Sequence, residues 1–275
     1  MNDVVLVTVD ASQPRGMLLA PLGLDTSHER AAGFAVQGAD MKLVREANTG
    51  QNFALLEPEN DEITIMYEFE ENGDRYPDAL FTPHDSRFTR SADALISEAQ
   101  SIGVDLCGRD RIAAIACATA ERFSYGHPAR KYYDGCDEIP ALGCGIAEGS
   151  CVDINTYFIA SLRAAGFEAG YVAGYFFPKE KIDRCDDMHC WVVTRHDGVC
   201  HEWDIAHHLK MGRKDIEPGL NPKPGFRHAV SHSMGFDIPD LRIREMKLLA
   251  EPVWVDAEGR LLASRPSIWC PKQTG

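Results

Sequence analysis

Gly149-Ser150-Cys151-Val152-Asp153 is the point at which a glycine-punctuated loop turns into a helix. Ser150 followed three residues later by Asp153 resembles a capping box, and Ile154, Phe158, Leu162 and Ala165 follow at helical spacing. Gly166 supplies a stop, so the pattern predicts an amphipathic helix over about 151–165. Cys151 falls in its first turn. Unpaired backbone N–H groups and the positive end of the helix dipole there favour a thiolate over a thiol. It precedes Ile154 by three residues, so it lies on the face that packs inward.

Three strand-like segments follow Gly166: Ala169–Phe177, Met188–Thr194 and Val199–Ile205. The last two form a hairpin whose turn fixes what can face His189. A His196-Asp197 turn puts His189 opposite Asp204. An Asp197-Gly198 turn, which turn chemistry favours, puts it opposite Ala206 with Asp204 as a diagonal neighbour. Either register leaves both side chains on one face, about 5–8 Å apart at Cβ. An aspartate beside a histidine holds the imidazole in one tautomer, and that imidazole can keep a nearby thiol ionised. Cys151, His189 and Asp204 therefore form a candidate nucleophile, base and orienting group. The Cys151 backbone N–H is a candidate oxyanion donor, and Tyr125, Tyr132 and Tyr133 are candidates for a second. Each triad member also has a bland reading, as a buried structural cysteine, a satisfied core histidine and a turn or salt-bridge aspartate.

Upstream, Val4–Val9 alternates at a β period, and Asp10 to Gly38 reads as irregular. Met41–Ala47 and Asn52–Glu57 flank Asn48-Thr49-Gly50 as a hairpin. Glu62–Glu70 is the cleanest strand, with Ile63, Ile65, Tyr67 and Phe69 on one face. Residues 1–85 thus read as a β-rich N-terminal module without chemistry of its own, and 86–275 as the catalytic domain. The period changes to 3.6 after a linker at Pro77–Pro83. Leu95, Ile96, Ala99 and Ile102 mark one helix, and Ile112, Ile115, Ala116, Thr119, Ala120 and Phe123 a second. Residues 124–149 read as a loop, and the chain from Lys210 to about 240 is rich in proline and glycine. Leu241–Leu249 and Val253–Leu262 read as closing strands.

A net charge of −14 argues against non-specific binding to nucleic acid or an anionic membrane, both of which would repel the chain. The start lacks a basic n-region, and no apolar run approaches the ~20 residues a membrane span needs. A cytoplasmic location is the resulting expectation. Nine cysteines contain no CxxC pair, which argues against a zinc ribbon or thioredoxin-like motif.

The run from Gly149-Ser150-Cys151 through Leu162-Arg163-Ala164-Ala165-Gly166 to Tyr171-Val172-Ala173-Gly174-Tyr175 resembles the core of the transglutaminase-like superfamily. His189-Cys190-Trp191 resembles its His-Ala-Trp strand, and Trp203-Asp204 its third-strand aspartate. The order Cys, His, Asp fits the family, and the match covers about residues 90–210. Met234–Asp240 is similar to a downstream Gly-Arg-Asp-Tyr-x-Asp element, and the strand-rich start resembles the module preceding this domain in many bacterial members. The chain departs from the pattern in having Ala169-Gly170 for the usual Ala-Arg, and a tight Trp203-Asp204-Ile205 for Trp-x-x-x-Asp-Pro. The resemblance implies an α+β, papain-like fold with helices packed on an antiparallel sheet. It also implies a thiol enzyme acting on peptide or protein amides through a Cys151 acyl-enzyme.

Water as acceptor makes such an enzyme a cysteine peptidase or amidase, and a lysine amine makes it a protein-glutamine gamma-glutamyltransferase. Hydrolysis is the expectation, because no EF-hand calcium loop appears and many bacterial members of the family are peptidases by resemblance. Neither cofactor nor metal is expected. A metal set drawn from Cys200, His201, His207 and His208 competes weakly, since adjacent residues on a strand diverge. A retired enzyme acting as a binding module is the third reading. The acidic loop Pro178–Asp187, with Asp183, Asp186 and Asp187, either favours basic substrates or is a solvated connection.

Overall fold

The computed structural model describes residues 2–186, 188–219 and 221–271, and Asp187 of the acidic loop lies outside them. Their fold is α+β and forms two compact units. The first draws on Met1–Pro77, Ala173–His189 and Gly225–Gly275, the second on Asp78–Val172 and Cys190–Pro224. Among the described residues no helix is long and apolar enough to cross a membrane.

The first unit is built from antiparallel strands. Glu62–Glu71 alternates as its sequence demands, with Ile63, Ile65, Tyr67 and Phe69 buried and the residues between them half-exposed. It pairs with Asn2–Asp10 on one side and Glu29–Gln37 on the other. Ser267–Trp269 and Arg184–Cys185 extend this sheet to five strands. The hairpin Ala39–Arg45/Asn52–Pro58 turns at Asn48–Gly50. There the Glu46 carboxylate accepts the backbone N–H groups of Asn48 and Thr49 and the Thr49 hydroxyl. Met17–Pro21, Val253–Val255 and Leu261–Ala263 complete a second five-stranded sheet. Leu19, Phe53 and Leu55 from this sheet pack with Phe236, Ile238 and Leu249, the Phe53 and Phe236 rings meeting edge to face at 5.2 Å.

The second unit holds the four α-helices found among the described residues: α1 (Asp93–Ser101), α2 (Gly108–Glu121), α3 (Cys151–Ala164) and α4 (Ile205–Lys210). The first three occupy the positions that periodicity predicts. Helix α3 is more than amphipathic, because every residue from Asp153 to Leu162 is buried. Burying Ile154, Phe158 and Leu162 contributes roughly 1.5–3 kcal/mol each. Two of its buried polar side chains bond back along the helix. Thr156 donates to the Val152 carbonyl at 2.7 Å, and Ser161 donates to that of Tyr157 at 2.9 Å. The helix ends on Gly166 at φ +87°. The Gly166 and Phe167 N–H groups donate to the Arg163 and Leu162 carbonyls, the double bond of a Schellman stop.

Beyond Gly166 the strand Glu168–Pro178 begins in the second unit beside Met188–His196, whose other neighbour is Val199–Trp203. Half-buried Arg163 ties the helix end to the start of that strand by donating to the Ala169 carbonyl at 3.0 Å. Desolvation lowers its guanidinium to about 10. Past Val172 the strand enters the first unit and meets Gly225–His232. A Cβ at Gly174 would lie 2.0 Å from the His228 carbonyl oxygen, so only glycine fits.

Candidate active site

Two short parallel strands deliver the chain to the candidate nucleophile. Phe123–Tyr125 pairs with Ala147–Gly149 inside what reads as loop, and the Gly126 N–H donates to the Gly149 carbonyl at 3.0 Å. Ser150 is then the N-cap of α3 and Cys151 its first residue, 6% exposed. The cap is held by the Asp153 carboxylate. One oxygen accepts the Ser150 backbone N–H at 2.8 Å and the Ser150 hydroxyl at 2.7 Å, while the other accepts the Tyr133 hydroxyl at 2.8 Å. Lys131 Nζ lies 3.3 Å from the first oxygen and supplies the counter-charge that a buried carboxylate requires.

These bonds engage the tyrosines that are candidate oxyanion donors. Tyr133 is committed to Asp153, and the Tyr132 hydroxyl donates to the Asp153 carbonyl at 3.4 Å. Burial holds both phenols protonated, well above the ordinary tyrosine range. Tyr125 faces His127, with Lys210 over its ring at 4.4 Å. Tyr132 and Tyr133 thus brace the helix start.

A contact that sequence reasoning missed lies under Cys151. The buried Cys190 sulfur accepts from Asn155 Nδ2 at 3.3 Å, Asn155 being one turn beyond Cys151, and lies near enough to Cys151 to feel its thiol. Burial first, and the neighbouring Cys151 second, push the Cys190 thiol well above its ordinary range. Tyr171 joins the group, its hydroxyl kept protonated by burial and by Cys190 and Cys151. No local pattern pairs residues 151 and 190; the signal available was Cys190 in the place of the family's alanine.

The hairpin takes the register of an Asp197-Gly198 turn. Val192 pairs with Trp203 and His196 with Val199, while Asp197 (φ +49°) and Gly198 (φ +76°) sit in the left-handed region. His189 is buried in Met188–His196, its ring 5.8 Å from that of Phe176. The strand argument stops short of Asp204, however. Val199–Trp203 ends at Trp203, and Asp204 leaves the sheet at φ −130°, ψ 71° as the N-cap of α4. Strand parity therefore does not set the direction of its carboxylate; the cap does. Oδ1 accepts the His207 backbone N–H at 3.0 Å, and Oδ2 lies 3.0 Å from His207 Nδ1.

The competing metal set divides between a strand and a helix. Cys200 and His201 stand on the strand, half-buried, and burial lowers the His201 imidazole. His207 is engaged with Asp204 and with Asn221 Oδ1 at 2.9 Å, and His208 Nδ1 with the Asp204 carbonyl at 2.8 Å. Among the described residues, Cys200, His201 and His208 enter no cluster of three metal-ligating side chains. In the acidic loop, Asp186 pairs with Lys181 at 2.5 Å and Arg184 at 3.0 Å, and its carboxyl falls below the usual range chiefly through Lys181.

Residues 97–203, Cys151 and His189 included, match the family described as Transglutaminase-like superfamily. Among solved structures, a proposed cysteine protease from Cytophaga hutchinsonii is similar at 14% identity and a TM-score of 0.54, covering 98% of each chain. The periplasmic domain of TgpA from Pseudomonas aeruginosa is similar at 14% identity and a TM-score of 0.41, covering 78% of this chain and 90% of that one. No curated protein sequence matches the chain significantly.

Proposed function

We propose that the protein is a thiol-dependent acyl-transfer enzyme of hydrolytic type, a cysteine peptidase or amidase acting on peptide or protein amides. The observation that carries this reading is the setting of Cys151: first residue of the buried helix α3, behind a cap fixed by Ser150 and Asp153. The backbone N–H groups of that turn favour a thiolate and can hold a developing oxyanion. In this reading His189 keeps Cys151 ionised and later protonates the leaving amine. Asp204 holds the imidazole in the productive tautomer. Cys151 attacks the amide carbonyl, the amine departs with a proton, and water hydrolyses the acyl-enzyme.

The match of residues 97–203 to the superfamily supports the reading, and the name of the Cytophaga hutchinsonii protein agrees with it. The test is a screen of peptide amides as acyl donors, each with and without a primary amine. Cleavage that is unchanged by the amine and lost in Cys151→Ala is the expected result. A product carrying the amine would make the protein a glutamyltransferase, and binding that survives Cys151→Ala without turnover would make it a binding module.

A further inference from the structure

The proposed mechanism uses one thiol, yet two meet at the head of α3. Cys151 and Cys190 are both buried, and the two thiols are close enough for Cys151 to raise the Cys190 thiol. Asn155, on the same face of α3 as Cys151, donates to the Cys190 sulfur at 3.3 Å, while its Oδ1 has no partner among the described residues. The Asn155 bond thus holds the Cys190 sulfur against α3, one turn from Cys151. Cys190 thereby brings a second sulfur beside the first.

We propose that Cys190 is a resolving thiol for Cys151, and that peroxide converts the pair reversibly into a Cys151–Cys190 disulfide. Hydrogen peroxide gives one oxygen to the Cys151 thiolate, which becomes a sulfenic acid as hydroxide leaves. The Cys190 sulfur loses its proton and attacks the Cys151 sulfur, so the S–S bond forms and the S–O bond breaks. The departing hydroxide takes a proton and leaves as water. Two electrons pass in total from the two thiols to peroxide, and a dithiol reductant returns them. Disulfide formation stops the ladder before the irreversible sulfinic acid and silences the nucleophile while oxidant is present. The burial that keeps Cys190 protonated at rest also keeps it from competing with Cys151 for peroxide.

This rests on the proposed function only for the reactivity of Cys151. The experiment exposes the full chain to one to ten equivalents of hydrogen peroxide, traps free thiols with N-ethylmaleimide in acid denaturant, and maps the peptides by mass. The expected result is a linked peptide pair joining residues 151 and 190, with seven of the nine cysteines still alkylated and all nine recovered after dithiothreitol. In Cys190→Ala, checked for an unchanged far-UV spectrum, Cys151 should pass to sulfinic acid that dithiothreitol does not reverse. Wild-type protein that accumulates Cys151 sulfinic acid with Cys190 fully alkylated overturns the proposal, as does a pair of sulfurs that never react or a link from Cys151 to another cysteine. Iodoacetamide rates on the reduced protein separate the two readings. Fast labelling of Cys151 without a linked peptide removes the redox pair alone, whereas a linked peptide with equal labelling of all cysteines supports the pair and removes the activated nucleophile.

Discussion

The Asp204 carboxylate grips His207 at two points, Oδ1 accepting its backbone N–H and Oδ2 lying 3.0 Å from its ring Nδ1, with each side chain only 2% exposed. Asn221 Oδ1 lies 2.9 Å from the same ring nitrogen and also accepts the Lys223 N–H, so it is an acceptor and His207 Nδ1 is the donor. Asp204 is thus a helix cap and an imidazole anchor before any role in turnover.

Asp204→Ala should therefore cost stability as well as activity. Losing the cap costs about 1 kcal/mol, and leaving the buried His207 Nδ1–H with one acceptor fewer costs roughly 1–3 kcal/mol more. Urea unfolding should show about 2–4 kcal/mol lost. Asp204→Asn keeps an oxygen for the cap and should lose less than about 2 kcal/mol by the same reasoning. Both variants should lower amide turnover at least ~100-fold, as expected when an imidazole loses its orienting group. Full turnover in a stably folded Asp204→Asn protein would leave the aspartate a purely structural residue.

Cys151 should react first among the nine cysteines. Timed iodoacetamide labelling at neutral pH should mark it at least ~10-fold faster than the exposed Cys107 and Cys144, because a helix N-terminus favours the reactive thiolate. Equal rates would mean that the cap supports the fold and nothing more.

His232 gives a stability prediction with a definite sign. It is buried in Gly225–His232, its Nδ1 2.9 Å from the Ser233 hydroxyl and its backbone N–H donating to Gln51, and burial lowers its imidazole to about 4. Between that value and the ~6.5 of an unfolded histidine, the unfolded chain binds the extra proton. Stability is thus complete above about pH 6.5 and falls as pH drops toward 4, by roughly 3 kcal/mol at most. Urea midpoints of wild type and His232→Leu should converge in slope above pH 7 and separate below 6. Parallel profiles through that window would mean that the ring is not held neutral.

The features legible in the sequence were those enforced within a few residues. The hairpin register follows from Asp197-Gly198, because only such a pair accepts two successive positive φ angles at low cost. The bounds of α3 follow from Ser150, Asp153 and Gly166, and the Glu62–Glu71 strand from its strict alternation. Glu29–Gln37 reads as irregular in sequence because Ala31, Ala32, Gly33 and Ala35 flatten the hydrophobic contrast that alternation needs. Gly225–His232 hid for the opposite reason, since His228, Ser231 and His232 are polar residues buried by tertiary partners. Helix α4 was read into the preceding strand because Ile205 and Ala206 are apolar in either role, and only the backbone at Asp204 separates the two. The Cys151–Cys190 contact joins segments 39 residues apart and leaves no local trace.

The missing arginine at position 170 has a packing cause, and that makes it testable. A Cβ at Gly170 would stand 2.3 Å from the Leu80 Cγ and 2.6 Å from the Leu80 carbonyl oxygen. Leu80 is itself fully buried in the short 3-10 turn Asp78–Phe81. That turn is anchored by Arg195, which bonds Asp78 at 2.5 Å and Glu168 at 2.8 Å and lies over the Phe81 ring at 4.3 Å. A basic group is thus already present beside the strand start, supplied from Met188–His196. Gly170→Arg, although it restores the family's residue, should destabilise the protein, because backbone at that distance cannot yield as a side-chain tip would. Overpacking of this kind costs about 1–3 kcal/mol or more, readable as a fall in the thermal midpoint, and Gly170→Ala should show most of it. A Gly170→Arg protein as stable as wild type would mean that the Asp78–Phe81 turn moves aside readily. The glycine would then be a matter of substrate recognition and not of packing.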